Sequence, residues 1–91
     1  MGQVQGMRIT SVLPTRNFKL LLVFDMQESR ILDIRKFLKD DNSSLLAEVR
    51  DNLGLFLQVT LDDIAGTVCW PNGVDFEPVV LYQESIGIDF F

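Results

Sequence analysis

The stretch Phe18-Lys19-Leu20-Leu21-Leu22-Val23-Phe24 constrains the fold more than any other part of the chain. Phe18, Leu20, Leu22 and Phe24 recur at every second position, the period of a strand. Leu21 and Val23 fill alternate positions, so both faces are apolar. Such a strand reads as central and covered on both sides. The run is far short of the roughly 20 residues that span a bilayer, which leaves strand as its reading. Its flanks are turns. Pro14-Thr15-Arg16-Asn17 combines a preset φ with an Asn that tolerates the left-handed region, and Asp25-Met26-Gln27-Glu28 closes the other end. Met7 to Leu13 reads as the preceding strand, with Met7, Ile9 and Leu13 on one face. Ser29 to Ile34 reads as the following one, with Arg30, Leu32 and Ile34 opposite Ile31 and Asp33. Connections this short join the three into an antiparallel meander.

After Ile34 the period changes. Ile34, Phe37 and Leu38 lie at i, i+3 and i+4, one face of a helix, and Asp33 is placed to cap it. Asp40-Asp41-Asn42-Ser43-Ser44 is a polar break. Leu45, Leu46 and Val49 form a second short stripe that ends near Gly54. Helices this short need the sheet to hold them. Leu55, Leu57, Val59 and Leu61 alternate against Phe56, Gln58, Thr60 and Asp62, which predicts a strand over 55–61. Asp62 to Gly66 reads as a turn and Thr67 to Trp70 as a strand. Trp70-Pro71-Asn72-Gly73 reads as a tight turn with Gly at positive φ, followed by a short return strand through Val74 and Phe76. Pro78 to Tyr82 predicts one helical turn opened by Pro. The expected class is α+β: an antiparallel sheet of about five to six strands with one or two short helices packed on it.

With 91 residues there is room for one domain. Residues 1–6 read as a loose leader without the basic and apolar regions of a signal peptide. Residues 7–91 form the domain, with a hydrophobic tail from about 83. The chain has no histidine, which removes the usual general base near neutral pH and the commonest metal ligand. Cys69 is its one cysteine, so neither an intrachain disulfide nor a thiolate zinc site can form, and a reducing cytoplasm suits it. It reads as a buried, inert thiol. Asp40-Asp41 and Asp62-Asp63 lack the alternating acids and terminal Glu of a calcium loop and read as turn and cap residues. The serines have no histidine to activate them, and the glycines form no phosphate-cradling loop. The expectation is a chain with no catalytic residue, no metal and no cofactor: not an enzyme.

The charge is unevenly spread. Residues 1–50 hold all eight basic residues and six acids, a net +2; residues 51–91 hold seven acids and no base, a net −7. An acidic half repels phosphate and suits a basic protein. Trp70-Pro71-Asn72-Gly73-Val74-Asp75 is the most distinctive stretch. Trp70, Asn72, Gly73, Asp75, Glu77 and Tyr82 are the candidate partner-binding residues, or else a signature of the fold. Trp is enriched at binding hot spots but equally closes cores. The tail Ile86, Ile88 and Phe90 is the candidate dimer edge, since a terminal apolar strand pairs within its own sheet or with a neighbour's.

The segments Leu20 to Phe24, Ile31 to Ile34, Gly66-Thr67-Val68-Cys69-Trp70-Pro71-Asn72-Gly73-Val74-Asp75, and Pro78 to Leu81-Tyr82 resemble the small bacterial proteins of domain-of-unknown-function family 2442. The resemblance covers roughly Met7 to Tyr82 and leaves the tail outside. It departs at Met26-Gln27-Glu28, where a strand-joining Asn-Gly is the expected pattern. It implies a small α+β fold, no established catalytic residues, and a paired, antitoxin-like role drawn from gene neighbourhood. Two functional expectations result. The first is a non-enzymatic interaction module that binds a small basic protein through the acidic half. The second is a nucleic-acid-binding or regulatory module using the basic half, with or without dimerisation.

Overall fold

The computed structural model describes residues 7–88. The elements are β1 (Ile9–Pro14), β2 (Lys19–Phe24), β3 (Ser29–Asp33), α1 (Ile34–Phe37), α2 (Ser44–Asp51), α3 (Leu53–Phe56), β4 (Thr60–Asp62), β5 (Thr67–Cys69), α4 (Pro78–Glu84) and β6 (Ile86–Gly87). The fold is α+β. Its strands divide into an antiparallel sheet ordered β1-β2-β3-β6 and a separate β4-β5 hairpin, rather than joining in one sheet.

The meander forms as its sequence predicts, and β2 is central. Leu20, Leu22 and Phe24 are fully buried, and Leu32 of β3, paired with Leu20, is buried beside them. Leu21 and Val23, on the other face, are only half-buried, so β2 is covered on one side. A register shift between Ile9 and Ser11 re-aims β1: Ile9 and Val12 join the core side, while Leu13 turns to the open face and is 57% exposed. A bulge adds one residue and reverses the alternation beyond it, which separates Leu13 from Ile9.

Both hairpin turns place a non-glycine residue at positive φ, Phe18 at 66° and Gln27 at 65°. In each, a backbone N–H bonds three residues back, Phe18 to Thr15 and Gln27 to Phe24, and the next residue rejoins the ladder. Asn17 is not the left-handed residue; Phe18 takes that conformation because its ring is then buried against Phe56, at 5.1 Å between centroids. Asp33 caps α1 by accepting from the Lys36 N–H.

The strand expected over 55–61 is not formed. Asn52 ends α2 and its side chain accepts from the Leu55 N–H, which opens α3 across Gly54. Phe56, on the supposedly polar face of the alternation, is fully buried, and Val59 three residues on is buried with it. Capping and the i, i+3 spacing override the two-residue period, and the strand shrinks to β4. The return strand through Val74 and Phe76 shrinks to a single bridge, Cys69 to Asp75. Cys69 is half-buried, with its Sγ 3.6 Å from Thr60 Oγ1. The leader and Phe90 lie outside the described residues. Among the described residues no helix is long and apolar enough to cross a membrane, and no three potential metal ligands converge.

Candidate docking surfaces

The distinctive 70–75 stretch builds the interior. Trp70 is 3% exposed, its Nε1–H donates to the Phe56 carbonyl at 3.0 Å, and Phe76 packs edge-on against it at 6.0 Å. Asn72 ties this turn to α2, donating to the Leu45 carbonyl at 3.2 Å and to Glu48 Oε1 at 3.0 Å. Its own Oδ1 accepts from the Val74 N–H, and Gly73 supplies the φ of 92° that the turn requires. Trp70, Asn72 and Gly73 thus act in folding, and none presents an open anchor.

Tyr82 belongs to a polar clamp. Its hydroxyl donates to Glu28 Oε1 at 2.8 Å, and the Arg30 guanidinium lies 4.0 Å over its ring. Arg30 also donates to Glu28 Oε2 at 2.6 Å, to the Ser85 hydroxyl at 2.7 Å and to the Ser85 carbonyl at 2.7 Å. The clamp fixes the end of α4 and the start of β6 to β3. The Tyr82 hydroxyl and the Arg30 guanidinium hold the Glu28 carboxyl below its usual range. The bond to Glu28 in turn raises the Tyr82 hydroxyl above its own.

Asp75 and Glu77 are exposed. The segment carrying them runs beside β5, since Thr67 Oγ1 donates to the Phe76 carbonyl at 2.6 Å and Asp75 bridges to Cys69. The β4-β5 turn adjoins it. There Asp62 Oδ1 accepts from the Ile64 and Ala65 N–H groups, Asp63 is exposed, and Ile64 is 92% exposed at the tip. Gly66, at φ 71°, lets the chain turn back where a Cβ would meet the Arg8 side chain at 2.9 Å. The Arg8 guanidinium donates to the Asp63 carbonyl and holds this turn against β1. An isoleucine next to two acids is thus presented on a fixed hairpin. The sequence placed these residues in a turn; the exposure of Ile64 was the missed feature, and one apolar residue between Asp63 and Ala65 was its only signal.

A hollow of about 470 Å³ lies where β3 runs past the short β6, lined by Lys19, Ile31, Asp33, Lys36, Phe37, Glu84 and Ile86. Burial raises the Asp33 carboxyl, but the Lys36 N–H and the Lys19 ammonium at 3.1 Å lower it further than burial lifts it. Ile86 pairs with Ile31 inside the sheet, and the Ile88 N–H donates to the Ser29 carbonyl.

The family model described as Protein of unknown function (DUF2442) matches residues 9–87. The chain belongs to that family. The DUF2442 match runs through β6, five residues past Tyr82, so the start of the hydrophobic tail lies inside the family's domain. It takes in the clamp, the 70–75 turn and the β4-β5 hairpin together. No curated protein and no solved structure matches the chain.

Proposed function

We infer that this DUF2442 domain is a non-enzymatic protein-interaction module that docks a small basic protein on the β4-β5 hairpin. The observation that carries this reading is Ile64, 92% exposed at the tip of the hairpin next to Asp62-Asp63, in the half of the chain that holds seven acids and no base. An apolar side chain seated in a partner's pocket supplies affinity, and surrounding acids steer a basic surface to it. Five of the eight basic residues support the same reading. Arg8, Lys19, Arg30 and Arg50 bond to carbonyls or carboxylates of their own chain, and Arg35 lies 4.0 Å over the Phe18 ring. A phosphate-binding surface needs such groups free, so the nucleic-acid reading has less to rest on. An antitoxin-like pairing in the cytoplasm is the specific form proposed.

The test is affinity capture from the native host at low salt with the tagged chain. Recovery of one small basic protein, released by salt and lost with Ile64→Asp, is the expected result. Exposed charges are screened beyond about 8 Å at physiological ionic strength, so capture that ignores salt overturns the electrostatic part. Recovery of nucleic acid instead moves the function to the basic half.

A further inference from the structure

The four-stranded sheet has a second face, bordered at one end by Lys36 and Phe37 of α1 and Glu84 of α4. Leu13 pairs with Leu21, Leu21 with Ile31, and Ile31 with Ile86, so one apolar row crosses all four strands in register. Leu13 and Ile86, at its ends, are 57% and 69% exposed. On one side of the row lie Ser11, Val23 and Ser29; on the other, Lys19 pairs with Asp33. None of these residues is buried, although Leu20 and Leu22, their neighbours on the opposite face, are fully so.

We propose that this open face is the interface between two copies of the chain, stacked sheet on sheet about a two-fold axis parallel to the strands. The axis follows from the register. A two-fold parallel to the strands and midway between β2 and β3 exchanges the two sides of the sheet and keeps the level along the strands. Leu13 then faces Ile86 of the second copy, Leu21 faces Ile31, and Lys19 faces Asp33. Each contact is repeated by symmetry, as an isologous interface requires. An axis along the row instead sets Lys19 opposite Val23 and leaves an ammonium against an apolar side chain, which is costly. The strand-parallel axis therefore matches apolar to apolar along the row and cation to anion at the Lys19–Asp33 level, and sets Val23 against Ser29 on the other side.

Shape and size agree. The hollow beside Glu84 comes opposite the β1-β2 turn of the second copy, where Arg16 is exposed. A projecting turn that carries Arg16 meets a recess edged by two acids, Asp33 and Glu84, and two cations, Lys19 and Lys36. Three strands of five to six residues and the two-residue β6, about 4.8 Å apart, give a footprint of about 300 Å² in projection. The accessible surface of a pleated face with half-exposed side chains exceeds its projection, and the recess adds more. This places the contact at the small end of specific interfaces, about 800 Å² per partner being standard. The dimer is thus a concentration-dependent one, built as an aligned two-sheet sandwich. It uses a different surface from the β4-β5 hairpin and stands or falls independently of the basic-partner reading.

The test is sedimentation velocity on the full chain from micromolar to submillimolar concentration. The expected result is a shift toward twice the 10.4 kDa chain mass. Leu13→Asp and Ile86→Lys, each alone, should leave a monomer. The double variant should recover the dimer through two new cross-copy ion pairs. Within one chain the two positions are three strand spacings, about 14 Å, apart and cannot pair directly. Far-UV circular dichroism and the emission of buried Trp70 check that each variant is folded. A wild-type monomer at every concentration overturns the proposal. So does a dimer that both single variants leave intact, which would place the contact elsewhere, such as the β6 edge. Failure of the folded double variant to recover dimerisation also overturns it, because the facing geometry is then wrong.

Discussion

Gln27 sits at a φ of 65° on an exposed turn, where nothing about its side chain favours the left-handed region. An L-residue loses roughly 1–2 kcal/mol there, and glycine does not. Part of that gain is offset by the freer unfolded chain that glycine brings. Gln27→Gly should therefore stabilise the protein by about 0.5–1 kcal/mol, read as a higher midpoint in denaturant with an unchanged slope. Phe18 has the same backbone conformation but the opposite expectation, because its ring is core. Gly66 is the converse case. Gly66→Ala forces a Cβ into the left-handed region and against the Arg8 side chain, so it should destabilise by about 1–2 kcal/mol or more. Loosening of the β4-β5 turn should then show as faster amide exchange at Ile64 and Ala65, where Asp62 now accepts.

The clamp of Glu28, Arg30, Tyr82 and Ser85 is the element-scale device, because it alone carries side-chain bonds from β3 to the end of α4 among the described residues. Glu28 titrates below its ordinary value of 4.5 in the folded chain. The stability it adds is present above the unfolded pKa and is lost as pH falls through the lower folded one. Tyr82 titrates above its ordinary 10.0, so its share is present below that value and is lost as pH rises through the higher one. Amide exchange in α4 should therefore accelerate, relative to β2, at both extremes. Tyr82→Phe should lower stability and remove the alkaline limb while leaving the Arg30–Glu28 pair. Protection of α4 that is unchanged by both pH and the substitution would show that the clamp holds nothing. None of this network was legible in the sequence. Its members lie about fifty residues apart, and Arg30 reads simply as a polar position on a strand. The meander, Asp33 as a cap and Pro78 as a helix opener were legible because each is decided by neighbours in the chain. The strand expected over 55–61 does not form for the complementary reason. Its alternation is real, but the Asn52 cap and the burial of Phe56 decide the outcome, and burial is a tertiary quantity.

For the molecule as a whole, the difficulty is to separate loss of binding from loss of fold. A domain of this size has about 5–15 kcal/mol of net stability. Trp70→Ala removes a buried indole, its bond to the Phe56 carbonyl and its packing on Phe76, and should cost roughly 3–5 kcal/mol. That loss is large enough to unfold much of the population, so any accompanying loss of partner binding is uninformative. Ile64 offers the opposite contrast. It is 92% exposed, and its side chain is not part of the core. Ile64→Asp should change stability by no more than about 0.5 kcal/mol, as substitutions of exposed side chains away from special contacts do. It should nevertheless abolish docking of the basic partner, because the apolar anchor is replaced while the negative surroundings that steer the partner are kept. Asp63→Lys gives the reciprocal result: the anchor stays, the field is weakened, and the association rate and its salt dependence fall more than the dissociation rate changes. Thermal unfolding and surface-immobilised binding of the two variants, measured side by side, distinguish anchor from field. Equal binding by wild type and a folded Ile64→Asp variant would remove the hairpin from the interface and leave the acidic half as a solvated surface.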